Sequence, residues 1–181
     1  MDASWSAERL SDRLQIQEVL HRYCAAIDRI QPDALMANVF HADATIDKSG
    51  APVAVATFVA VAARHSGVPS TSHMMSNFFI DFFDHDSAFM ESWCLALERH
   101  PSSGPENRTV DRIYRVRYGD RFERRSDGRW RIGARTFVLD HVLSVATDFT
   151  LDQPDEGHFR GQRDAGDPII RMRVRLGLPP A

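Results

Sequence analysis

The chain has 181 residues, 43% of them hydrophobic and 26% charged, with a formal net charge of −3 and a pI near 6.2. That length suits one domain around a single core. The charge balance carries no basic footprint for nucleic acid and no polybasic membrane signal.

The start, "MDASWSAERLSDR", is polar and acidic, unlike a signal peptide, and no apolar run approaches the roughly 20 residues of a bilayer span. A cytoplasmic location is therefore expected. From about residue 7 to 30, Leu14, Ile16, Val19, Leu20, Tyr23, Cys24 and Ile27 recur at three- and four-residue steps. That is the apolar stripe of a helix, with Ser11 or Asp12 able to cap an inner start. "IQPD" ends it, and Pro32 fits the first turn of a short second helix, "PDALMANVF". "HADATID" reads as a brief strand, and "GAPVAVATFVAVAARHSG" as a third helix.

From Thr71 the chain turns rich in aromatic and β-branched residues. Four strand-like segments, beginning "SHMMSNFFIDFF" and ending "GRWRIGARTFVLDHVLS", are separated by the turn signals "DHDS", "HPSSGPEN" and "SDG". The last two should pair through Ser126–Asp127–Gly128. Helices first and a meander of strands after them predict an α+β domain, with helices on one face of a curved antiparallel sheet. From about Ala146 a polar tail follows, with one short element around "PIIRMRVRL". Cys24 and Cys94 lie in apolar segments without C-x-x-C spacing, which predicts two buried, reduced thiols.

This order resembles the SnoaL-like branch of the nuclear-transport-factor-like superfamily. The likeness rests on "IQEVLHRYCAAIDRIQPDALMANVFHADATID", with Asp28 near the end of the first helix and Phe-x-x-Asp-Ala at Phe40–Ala44. It rests also on "SHMMSN" and on "YRVRYGDRFERRSDGRWRI". It spans roughly residues 10–142. It implies a cone-shaped α+β barrel: three N-terminal helices packed in a strongly curved, mostly antiparallel sheet around a central pocket. The cone domain would occupy residues 1–145, and residues 146–181 would cover the pocket or a subunit interface. The nearest branch holds scytalone dehydratase, bile-acid dehydratase and hexachlorocyclohexane dehydrochlorinase, which share an Asp–His pair. The matching residues here are Asp28 and His73, with Tyr23 at the spacing of a tyrosine in the bile-acid enzyme. The same resemblance implies a homotrimer or homodimer.

The chemistry of these residues fits that implication. A histidine can act as general base when a carboxylate fixes its tautomer and stabilises the imidazolium. Met75, Asn77 and Phe79 share the strand parity of His73. Asn77 could donate to an oxyanion or satisfy a strand edge, and Tyr23 could assist a leaving group or serve as core. Arg135 could bind an anionic group from inside or belong to a solvated face with Arg129 and Arg131. Phe79, Met75 and Trp93 are candidate walls for an apolar or aromatic small molecule. No metal is expected: His41-x-Asp43 and His85–Asp86 do not make a ligand framework. No cofactor is expected either, since G-x-G-x-x-G, Walker and G-x-S-x-G motifs are missing.

These readings together predict a cofactor-independent lyase, dehydratase-like, in which His73 removes a carbon-bound proton and a small group leaves. An isomerase uses the same base. The alternatives are a non-catalytic assembly or ligand-binding module, such as a ring-hydroxylating dioxygenase small subunit, and an epoxide hydrolase built on Asp28, Arg135 and Asp81 or Asp111.

Overall fold

The computed structural model describes residues 5–64, 67–102, 108–150 and 157–180. Helix α1 (Ala7–Asp28) starts at Ser6, whose hydroxyl accepts from the Arg9 N–H. The cap therefore lies outside the sites expected at Ser11 or Asp12. Ile16, Val19, Leu20, Tyr23 and Cys24 form its buried stripe. Leu14, placed in that stripe by spacing, is instead 67% exposed. Helix α2 (Pro32–Asn38) begins at Pro32, as its fixed φ favours. Strand β1 (Phe40–Asp47) and the two-residue β2 (Val53–Ala54) precede α3 (Val55–Ala63). That helix is shorter than its Ala-rich segment suggests.

Four long strands follow: β3 (Ser70–Phe82), β4 (Ser87–Pro101), β5 (Arg108–Arg124) and β6 (Trp130–Thr150). The six strands run in the order β2-β1-β6-β5-β4-β3; only β1 and β6 are parallel. Residues 103–107, the centre of the "HPSSGPEN" turn, lie outside the described residues. The β5–β6 hairpin turns where expected. Gly128 takes φ +72, open only to residues that tolerate the left-handed region, and its N–H donates to Arg125 O. Strand β6 passes the expected tail boundary at Ala146, because Thr147 still pairs with Thr109 and Thr150 with Arg108. Helix α4 (Pro168–Arg175) is the short element of the tail.

The architecture is the expected α+β cone: helices packed inside a curved, unclosed, mostly antiparallel sheet. The core joins α1, α2 and α3 to the inner face of the long strands, where Ala88, Met90, Cys94 and Ala96 of β4 meet Val116, Tyr118 and Phe122 of β5. Cys24 and Cys94 are free and buried, and burial pushes their thiols up to about 12 and about 11. Asp12, 1% exposed, ties the helix layer to the last hairpin. Its carboxylate accepts from Trp130 Nε1 at 2.9 Å, Arg124 Nη1 at 2.7 Å and Arg9 Nη1 at 3.1 Å. Among the described residues, no helix is long and apolar enough to cross a membrane.

One irregularity decides which side chains reach the interior. Ser76 pairs with Trp93 and Phe79 with Glu91, so Asn77 and Phe78 together oppose Ser92. This is a β-bulge, and Asn77 adopts φ +45, a conformation that asparagine tolerates better than most residues. Before the bulge the odd residues Thr71, His73 and Met75 turn inward; after it the even residue Ile80 does. A bulge shifts side-chain parity by one and sends Phe79 outward.

Candidate active site

Asp28 is the last residue of α1, and His73 lies across from it on β3. His73 Nδ1 is 2.6 Å from Asp28 Oδ1. Two more bonds hold the carboxylate: the His73 backbone N–H donates to Oδ2 at 2.9 Å, and Thr71 Oγ1 donates to Oδ1 at 2.8 Å. Burial alone would raise the Asp28 carboxyl. The hydrogen bonds from His73 and Thr71 outweigh it and hold the group below the usual carboxylate value. An ionised Asp28 only accepts, so Nδ1 carries the bridging proton, and Nε2 is the ring nitrogen left to meet a substrate. The pair is largely enclosed, with side-chain exposures of 12% for His73 and 20% for Asp28.

His73 borders a cavity of about 260 Å³ between α1, α3 and the inner sheet face. Its walls are mainly apolar and aromatic: Ile27, Phe58, Val61, Ala96, Tyr114, Val116, Tyr118 and Phe137. Polar atoms come from Tyr23, Thr71, His73, Glu98, Lys48 and Arg163. The Tyr23 ring meets His73 edge-on at 6.3 Å and Tyr118 at 5.8 Å. Burial raises the Tyr23 phenol pKa, against an opposing pull from Arg135. Tyr23 is therefore a neutral donor. Arg163, from the tail, donates to the carbonyls of Asp28 at 2.8 Å, Val68 at 3.0 Å and Ile27 at 3.1 Å. It thereby covers the negative end of α1 beside Asp28.

The fold thus brings Tyr23, Asp28 and His73 together. The other five candidates fall elsewhere. Asn77 sits exposed in the bulge, and the Phe79 ring lies tilted against Trp93, centroids 6.4 Å apart, on the outer face. Trp93 points outward because the buried residues of β4 are the even-numbered ones. Met75 packs against the core below the cavity. Arg135 is inward, as one reading had it, but forms a buried bidentate pair with Asp120, both contacts 2.7 Å. Its guanidinium lies 4.2 Å from the Tyr23 ring centroid and 4.1 Å from that of Tyr118, beneath the cavity instead of lining it. Burial disfavours that charge, and Asp120 offsets it. The epoxide-hydrolase arrangement does not form: Arg135 is taken by Asp120, Asp111 by Arg99 at 2.6 Å, and Asp81 is exposed.

Thr71, Tyr118, Phe58, Phe137, Lys48 and Arg163 were missed from sequence. Thr71 carried a signal, since it is two residues before His73 and shares its face. Tyr118 shares the inner parity of β5, but parity alone does not show which strand lines a cavity. Lys48 and Arg163 are in irregular segments without periodicity.

Comparison with known proteins agrees with this fold. Residues 8–136 match the sequence model of the SnoaL-like domain. No curated protein matches the chain in sequence. Among solved structures, a type 2 hexachlorocyclohexane dehydrochlorinase is similar, with TM-score 0.65 and 19% identity over 82% of this chain and 97% of that one. A scytalone dehydratase candidate from Novosphingobium aromaticivorans gives 0.63 and 22% over 88% and 96%. A Mycobacterium tuberculosis protein of unknown function gives 0.62 and 23% over 77% and 78%.

Proposed function

The chain belongs to the SnoaL-like domain family, and on that premise we propose that it is a cofactor-independent lyase whose base is His73. The observation carrying this reading is the 2.6 Å contact between His73 Nδ1 and Asp28 Oδ1 at the wall of a mostly apolar cavity. His73 Nε2 takes a proton from a carbon next to an activating group. Asp28 stabilises the imidazolium that forms. Tyr23, a neutral phenol beside the imidazole, donates to the departing hydroxide, halide or alkoxide. The substrate is an apolar, ring-containing small molecule, as the Phe- and Tyr-rich walls favour. The dehydrochlorinase and dehydratase names of structural relatives agree with elimination.

A non-catalytic module needs no base in its pocket, so the hydrogen-bonded pair weighs against that reading. The test is turnover on ring compounds bearing a leaving group β to an acidic C–H. His73→Ala and Asp28→Asn should each cost at least a hundredfold in kcat with circular dichroism unchanged. Activity retained in both variants would falsify the dyad.

A further inference from the structure

Lys48, the sole lysine of the chain, follows β1 and reaches the rim of the cavity. Its Nζ lies 5.1 Å from the centroids of both Phe58 and Phe137. Among the described residues it makes no hydrogen bond and no ion pair. Every other charged group at this site is already engaged. Arg163 donates to three backbone carbonyls, and Arg135 is paired with Asp120. Asp28 is held by His73 and Thr71, and Glu98 by His100 at 2.8 Å. The residue remains open to solvent, yet its ammonium leans over the rings, and the water lost there lowers its pKa. A cation held over two aromatic faces without an anion is a half-built contact.

We propose that Lys48 is the anion anchor of this site, selecting ring compounds that carry an oxyanion such as a carboxylate. The acid group meets Lys48 at the rim, and the ring passes Phe58 and Phe137 towards His73. This rests on the reading of the cavity as a small-molecule site, and it holds whether or not His73 is the base.

The probes are 2-naphthoate and 2-naphthamide, which share a ring and differ in charge, titrated calorimetrically into the native protein. Naphthoate should bind at least about ten times more tightly than the amide, with the ratio falling as salt is raised. Lys48→Met should abolish the ratio and leave amide binding unchanged, whereas Lys48→Arg should keep most of it. His73→Ala should keep the ratio while losing turnover; turnover kept with the ratio intact would remove the dyad and leave the anchor standing. Equal binding of the two probes, no naphthoate binding at millimolar concentration, or a ratio that survives Lys48→Met overturns the anchor. A ratio lost in His73→Ala but kept in Lys48→Met would assign the anion to the imidazole and overturn it too.

Discussion

Asp28 accepts three hydrogen bonds at a helix end whose macrodipole opposes a carboxylate. Its depressed pKa has a defined consequence for stability. The contribution is complete above the unfolded value of about 3.9 and is lost as pH falls through the lower folded value. Thr71 supplies one of the stabilising donors. Thr71→Val should therefore cost about 1.5 kcal/mol at pH 7. The gap to the native protein should start to narrow as the pH drops below about 4 and close only below the lower folded value, where the carboxyl is protonated in both states. Urea unfolding at stepped pH reads this directly, and a gap that stays constant would detach Thr71 from the Asp28 charge.

Between elements, Asp12 is a long-range tie, since it bonds side chains 112 and 118 residues away in the β5–β6 hairpin. Asp12→Ala would leave the Trp130 indole N–H buried without a partner and free the Arg124 guanidinium from its deepest contact. The expected loss is about 3 kcal/mol in urea unfolding; a loss under about 1 kcal/mol would show that water replaces the carboxylate. Nothing local announces that role, because an Asp near a helix start reads equally well as a cap. Local patterns did identify α1, the hairpin turn at Gly128 and the four strands, whose periodicities lie within single segments. Tyr23, Asp28 and His73 were legible through the family resemblance. Phe79 and Asn77 misled because a bulge without glycine reverses parity partway along a single strand. Trp93 misled because alternation gives two faces and does not say which one is inside.

At the scale of the molecule, the outer face of the long strands keeps apolar residues in the open. Met74 is 47% exposed, Leu95 39%, Leu143 47% and Val145 42%. Met74 and Leu95 are direct cross-strand partners on that face. Such a surface suits the homotrimer or homodimer expected from the family better than a solitary chain. Light scattering should give at least twice the 20.5 kDa chain mass, and Leu95→Glu should lower it. A native mass of one chain would contradict this assembly. The tail carries a different consequence at this scale. The family match ends at residue 136, yet Arg163 closes part of the cavity wall from beyond it. The cavity is thus built from two stretches of the chain, one within the family match and one beyond it. A new tail grafted after β6 would reshape the entrance and, by removing Arg163 from the Asp28 and Ile27 carbonyls, would also alter the end of α1 that carries the Asp28–His73 pair.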